Sequence, residues 1–119
     1  MAAPNLANVV TITAKTDVSN VTTVAANITV NLASSNKVLK INTIYITNVD
    51  GTNSGDITAT VAKSGVDYKI AHAIAVPAKS SISLITRDTQ IYLEEGDYIR
   101  VTASANNRLH AICSYEELS

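Results

Sequence analysis

Apolar and polar residues alternate through several short runs of this chain. A period of two places the apolar members of each run on one face of a β-strand. These sets are Val10, Ile12 and Ala14; Val24, Ala26, Ile28, Val30 and Leu32; Val66, Tyr68, Ile70, His72, Ile74 and Val76; Ile99, Val101, Ala103 and Ala105; and Leu109, Ala111, Cys113 and Tyr115. Many short strands predict an all-β fold. We expect a single antiparallel β-sandwich or jelly-roll-like domain over residues 1–119, in which residues 1–32 form an extended arm or edge strands.

Residues 38–49 break this regularity. Leu39 and Ile41 share one phase, whereas Ile44 and Ile46 share the other. A β-bulge produces such a phase change, because one extra residue turns the following side chains to the opposite face. A strand that is covered on both faces, by the core and by a partner subunit, would show the same pattern. The sequence is compatible with both interpretations.

Residue types that favour turns separate the runs. Gly96 lies in an acidic turn and is free to adopt a positive φ. Asn106-Asn107 also suits a turn, because asparagine tolerates the left-handed region. We therefore predict that residues 98–105 and 109–115 pair with each other across Asn106-Asn107.

The composition limits which residue types can form the core. The chain has no Trp and no Phe, so Val, Ile, Leu and Ala must form most of its interior. Because small aliphatic side chains make a thin core, we expect a homo-oligomer with cyclic symmetry, such as a trimer. Tyrosine buries a ring and still forms hydrogen bonds, so the tyrosines are predicted at the core edge or at interfaces. They are Tyr45, Tyr68, Tyr92, Tyr98 and Tyr115.

Charge and cysteine content exclude several classes of partner. The formal net charge is -1, from 9 basic and 10 acidic residues, and no basic stripe is present. Direct binding of nucleic acid is therefore not expected. No apolar run approaches the roughly 18 residues of a membrane helix, so no membrane partner is expected either. Cys113 is the single cysteine, which excludes an intrachain disulfide and indicates synthesis in a reducing cytosol.

Two acidic clusters could offer oxygen ligands to a cation. They are Asp50, Asn53 and Asp56 in one loop and Glu94, Glu95 and Asp97 in another. The first lacks the ligand spacing of an EF-hand. Carboxylates like those of the second ordinarily solvate a turn and discourage association of sheet edges. In both loops we favour a solvated turn over a metal site.

Histidine and cysteine supply the remaining candidate chemistry. His72 lies in phase with the apolar residues of its run, so we predict a hydrogen-bonded buried or interface residue. His110 has the opposite phase from Cys113, which we interpret as a small core hydrophobe. A nucleophile pair between Cys113 and a histidine is the alternative. We assign no catalytic, cofactor-binding or metal-binding residue, and we do not expect an enzyme.

Several stretches of the C-terminal half resemble small virion structural proteins of tailed bacteriophages. They are Ile44-Tyr45-Ile46-Thr47-Asn48, Asp50-Gly51-Thr52-Asn53, Val76-Pro77-Ala78, Ile91-Tyr92-Leu93-Glu94-Glu95-Gly96-Asp97, Arg100-Val101-Thr102-Ala103 and Cys113-Ser114-Tyr115-Glu116-Glu117. The resemblance covers residues 38–117. It is a likeness to a phage β-sandwich module, and it brings no catalytic residues and no cofactor with it.

The resemblance implies a non-enzymatic structural component of a virion, made in the host cytoplasm. The first expectation is a capsid decoration or cement protein that stabilises the major capsid lattice through many repeated modest interfaces. The alternative is a head–tail, neck, tail or fibre protein, including a receptor- or glycan-binding module. The implied partners are the major capsid protein or other virion proteins.

Overall fold

The computed structural model describes residues 6–86 and 88–119. Within them, a short 3-10 turn (Leu6–Asn8) precedes nine strands. The strands are β1 (Ile12–Val21), β2 (Ala26–Val30), β3 (Val38–Asn48), β4 (Gly55–Lys63), β5 (Val66–Val76), β6 (Ser81–Ile85), β7 (Ile91–Leu93), β8 (Tyr98–Ala103) and β9 (Leu109–Leu118). Residues 1–5 of the predicted N-terminal segment lie outside the described residues. No helix long and apolar enough to cross a membrane occurs in the described part of the chain.

The strands form two sheets packed face to face. Sheet I has the order β1-β9-β3-β6, and β7 pairs with β3 beyond the end of β6. Sheet II has the order β2-β8-β4-β5. All of these pairings are antiparallel. This strand order is that of a jelly roll, so the predicted antiparallel sandwich is confirmed. The strands β1 and β2 both lie at edges.

The core between the sheets consists of aliphatic side chains, as the composition requires. Its largest fully buried apolar members are Val21, Ile41, Ile44, Ile46, Ile57, Val76, Leu93, Ile99, Val101 and Leu109. The alternation predicted for β8 is confirmed, since Ile99, Val101 and Ala103 are all buried. The phase predicted for β9 is confirmed too, from Leu109 through Tyr115. Central strands obey a simple period because the opposite sheet covers their whole inner face.

A β-bulge in β3 explains the phase change of residues 38–49. Ile41 pairs with Tyr115 of β9, but the next pair joins Thr43 to Ser114, so Asn42 is the extra residue. The bulge lets Ile41 and Ile44 both face the core although they are three positions apart. The bulge interpretation of this segment is therefore confirmed.

The predicted pairing of residues 98–105 with 109–115 is wrong. The strand β8 pairs with β2 and β4 of sheet II, whereas β9 pairs with β1 and β3 of sheet I. The turn itself is present, with Asn107 at a φ of 61°, but it carries the chain from one sheet to the other. Alternation reports which face of a strand is buried. It does not distinguish neighbours in one sheet from strands that face each other across a core.

The face predicted for residues 24–32 is wrong except at Ile28, which packs against the core. Val24, Val30 and Leu32 are exposed, while Thr29 and Asn31 are buried. The pairing of β2 with β8 shifts register between Asn27 and Thr29. Because of this irregularity, the side chains in the second half of the strand have the opposite phase. Its polar side chains therefore point toward the core.

The apolar faces predicted for β1 and β5 are only partly covered. Val10, Ile12 and Ala14 are all exposed, because the core lies under the other end of β1, at Val21. In β5, Val76 is buried, whereas His72 and Ile74 are exposed. Register shifts in the β4–β5 pairing and a positive φ at Ala73 interrupt the alternation of β5. His72 is therefore not a buried residue.

The side chains of two buried asparagines form hydrogen bonds with loops at the ends of the sandwich. The amide nitrogen of Asn48 donates to the carbonyl oxygens of Asn53 and Val76, both at 2.9 Å. Its side-chain oxygen accepts the N–H of Asp50 at 2.8 Å. Asn31 plays the same part at the other end, donating to the carbonyl oxygen of Leu93 at 3.0 Å. Because these buried amide groups form hydrogen bonds to loop backbone, they hold the loops in place.

Candidate interaction surfaces

The structure separates the cysteine from the histidines. Cys113 points into the core from β9, whereas His110 lies three positions earlier on the same strand and points outward. His72 is exposed on β5, in the other sheet. The candidate nucleophile pair is therefore not assembled, and Cys113 is the core residue that its phase predicted.

Burial controls the chemistry of Cys113. Desolvation raises the pKa of its thiol to about 11, and the negative charge of Asp17 acts in the same direction. Burial, followed by the charge of Asp17, likewise raises the pKa of Tyr115 to about 12. Asp17 also accepts a hydrogen bond of 3.0 Å from the hydroxyl of Thr29, which joins β1 to β2. Neither the thiol nor the phenol ionises near neutral pH.

Thiol labelling checks this placement. We expect Cys113 in the native protein to react with an aromatic disulfide reagent at least tenfold more slowly than in urea, at pH 7 to 9, because the reactive thiolate is scarce and covered. The rate in urea provides the control for reagent quality. Equal rates in the native and unfolded protein would contradict a buried Cys113.

The loop that contains Asp50 uses its acidic side chain to hold its own backbone. One carboxylate oxygen of Asp50 accepts the N–H groups of Thr52 and Asn53 at 2.8 and 3.0 Å. These backbone hydrogen bonds, that of Asn53 first, lower the pKa of Asp50. Arg108 lies 3.7 Å from the other oxygen. The expected solvated loop is thus an ordered turn.

The second acidic cluster forms ion pairs that connect β4 to the turn between β7 and β8. The Lys63 ammonium at the end of β4 lies 2.7 Å from carboxylate oxygens of both Glu94 and Asp97. The same oxygen of Asp97 accepts the N–H of Glu94 at 3.0 Å. Asp97 is consequently buried, whereas the sequence predicted a solvated turn. Among the described residues, no three His, Cys, Asp or Glu side chains are grouped so that they could hold a metal ion.

Charged side chains occupy only part of the outer face of each sheet. On sheet II, Arg100 lies 5.3 Å from the centre of the Tyr98 ring and 3.3 Å from a carboxylate oxygen of Asp67. On sheet I, cross-strand pairing aligns uncharged rows. The rows are Val18, Ile112, Tyr45 and Ser83, and Asn20, His110, Thr47 and Ser81. These two rows carry no Asp, Glu, Lys or Arg, whereas Lys40 and Glu116 lie elsewhere on the same face.

The longest edge strands are β1 and β5. Among the described strands, each of these two pairs with a neighbour on one side only, so its other side presents free backbone N–H and C=O groups. We define the β5 edge as the exposed side of Val66–Val76, where Val66, Tyr68 and Ile74 remain exposed. Exposed apolar groups beside unpaired backbone favour addition of a further strand.

The tyrosines differ in how deeply they are buried, and their predicted place at interfaces stays a prediction. Tyr45, Tyr68 and Tyr92 are exposed, Tyr98 is half-buried, and Tyr115 is buried. Tyr45 lies on the outer face of sheet I, Tyr68 on the β5 edge, and Tyr92 on the edge formed by β7.

Sequence reasoning missed a polar groove on the outer face of sheet I. The β3–β7 ladder ends at Ile41 and the β3–β6 ladder begins at Ile44, which leaves a gap at the bulge. The groove occupies about 680 Å³ around this gap. Its lining is charged at Lys40, Asp88 and Glu116 and neutral at Asn42, Thr43, Gln90 and Ser114. The phase change in residues 38–49 was the signal that marked its position.

Comparison with known proteins supports the fold. No protein-family model and no curated protein matches the sequence. A solved structure described by the words "Bacillus endospore appendages form a novel family of disulfide-linked pili" is similar, with a TM-score of 0.55 at 16% sequence identity. The match covers 100% of this chain and 90% of that chain. At this identity the likeness is one of fold.

Proposed function

We propose that this chain is a non-enzymatic structural subunit that binds copies of itself and neighbouring proteins in a larger particle. The observation that carries the proposal is the β5 edge, where a long strand that pairs only with β4 keeps Val66, Tyr68 and Ile74 exposed. A monomeric protein usually blunts such an edge with charges, proline or a covering loop. Only Asp67 and Lys69 supply charge along β5.

The first setting that we propose is a tailed-phage virion, where the chain would act as a capsid decoration protein. The resemblance of residues 38–117 to phage modules supports this setting, and jelly rolls are frequent in viral capsids. The fold alone does not fix a function, so the residues at the contacts must carry it. Neck, tail or fibre positions are the alternative within a virion.

A cell-surface appendage is the second setting, because the structural neighbour is a pilus protein. The disulfide linkage named for that neighbour does not suit this chain through Cys113, which is fully buried. Assembly here would depend on sheet edges and on the outer face of sheet I. Such contacts are individually modest and gain strength by repetition.

Replacing Tyr68 with lysine tests the role of the β5 edge. We expect the wild-type protein to self-associate as its concentration rises, and Tyr68→Lys to weaken this at least tenfold, because a charge would lie in the contact. Analytical ultracentrifugation measures the association. Val24→Lys is the matched control, since Val24 is exposed in the turn after β1. A wild-type protein that stays monomeric at every concentration would contradict the proposal.

The number of copies of the chain in each particle distinguishes the proposed settings. Quantitative mass spectrometry of purified particles should find the chain in proportion to the major capsid protein if it decorates the capsid. A few copies per particle would indicate the neck or tail. Stripping the protein from virions should lower their resistance to heat if it acts as cement. Detection on cell-surface filaments and not in virions would favour the appendage setting.

A further inference from the structure

We infer that the polar groove on the outer face of sheet I binds a neutral saccharide. The groove exists because β6 and β7 meet the same side of β3 with a gap between them, opposite the bulge at Asn42. Its volume of about 680 Å³ lies within the range of small-ligand sites, roughly 300–1,000 Å³. This inference does not depend on the proposed role in assembly.

Several polar groups in the groove are not used by the fold. Asn42 donates to Glu116 at 3.1 Å. Within the described residues, the side chains of Lys40, Asp88 and Gln90 form no hydrogen bond or ion pair, although Lys40 stands directly opposite Glu116 in the ladder. By contrast, the Lys63 ammonium contacts two carboxylates. The groove thus presents both donors and acceptors to a ligand.

The balance of charge favours an uncharged polyhydroxy ligand. Two carboxylates, Asp88 and Glu116, oppose the binding of phosphates or nucleic acid. The polar lining gives little to a purely apolar ligand. Sugar hydroxyls donate to carboxylates and accept from the ammonium of Lys40 and the amide of Gln90, so one neutral molecule can satisfy both kinds of group.

Tyr92 supplies an apolar surface beside these groups. It is the cross-strand partner of Lys40 on β7, so its ring lies on the same outer face. Gln90, which lies just before β7, lines the groove on that face. Tyr92 is 45% exposed, so part of its surface is open to a ligand. An aromatic ring bordering polar side chains can pack against the C–H face of a sugar while the hydroxyls bond to the groove.

A glycan array probed with the full chain, in the presence of EDTA, tests the inference. Saccharides that bind are then titrated by NMR against the wild-type, Tyr92→Ala and Gln90→Ala proteins. We expect each variant to weaken binding about fivefold to tenfold. Chemical shifts should change around Lys40, Asn42 and Gln90.

Two matched variants locate the site. Tyr68→Ala removes an exposed tyrosine from the β5 edge, and Asn20→Ala removes an exposed amide from the other end of the sheet I face. Both should bind like the wild-type. The inference is overturned if no saccharide binds, if Tyr92→Ala and Gln90→Ala bind unchanged, or if calcium chloride alone shifts the groove resonances and is required for binding. Weakened assembly in Tyr68→Ala with intact saccharide binding would separate this site from the proposed assembly edge.

Discussion

Replacing Leu109 with alanine is expected to lower the free energy of unfolding by about 2–5 kcal/mol. Leu109 begins β9, a central strand of sheet I, and is fully buried between Val21 of β1 and Asn48 of β3. Its side chain also packs on the backbone of Gly55, where an added Cβ would lie 3.3 Å from it. Because this contact joins the two sheets, neighbouring atoms have little freedom to fill the cavity. Urea unfolding followed by circular dichroism measures the change.

Leu32→Ala provides the matched control, since it makes the same chemical change at a residue that is 70% exposed. Its effect should stay within about 0.5 kcal/mol. Similar losses in both variants would contradict the placement of Leu109 in the core. A loss confined to Leu109→Ala would support the packing of β9 against β4.

Replacing Asn48 with alanine is expected to cost about 2–4 kcal/mol. The variant loses three side-chain hydrogen bonds and leaves the carbonyl oxygen of Val76 buried without that partner. The loop that begins at Asp50 should loosen at the same time, because Asn48 holds both of its ends. Urea unfolding gives the stability, and amide hydrogen exchange gives the protection of Asp50 and its neighbours.

Asn20→Ala is the control for this change, because Asn20 is exposed on β1 and its side chain forms no hydrogen bond within the described structure. It should leave both stability and loop protection nearly unchanged. Unchanged exchange at Asp50 in Asn48→Ala would show that the loop does not depend on the amide.

Some of the fold could be predicted because central strands follow simple rules. Ile99, Val101 and Ala103 alternate cleanly, since β8 lies between two neighbours and its inner face is fully covered. The bulge in β3 was one of two interpretations that the sequence left open, because two apolar phases in one strand require an extra residue only when both face one core.

The orientation of residues in edge strands and the connections between strands could not be predicted, for physical reasons. Thr29 faces inward because a register shift turned its strand over, and single-sequence alternation cannot locate such a shift in a polar segment. The partner of β9 was misassigned because strands on opposite sides of one core carry the same pattern as strands in one hairpin. Edge positions such as Ile74 stay apolar without being covered.

The groove could not have been predicted from residue types. Lys40 and Glu116 come from adjacent strands, while Asp88 and Gln90 come from the connection between β6 and β7. Only the tertiary pairing of these segments with β3 brings the four together. The phase change near Asn42 indicated an irregular place in the sheet, and the chemistry there required the structure.

The position of β9 has a consequence for biosynthesis. It lies between β1 and β3, although it follows every other strand in the chain. A ribosome must therefore translate residues 109–118 before sheet I can close, and until then β1 and β3 have no partner there. Nascent chains with unpaired strands are prone to aggregate and depend on chaperones. Non-local pairing of this kind also makes folding slow. Production of many copies in a cell would then be limited by the rate at which completed chains close this sheet.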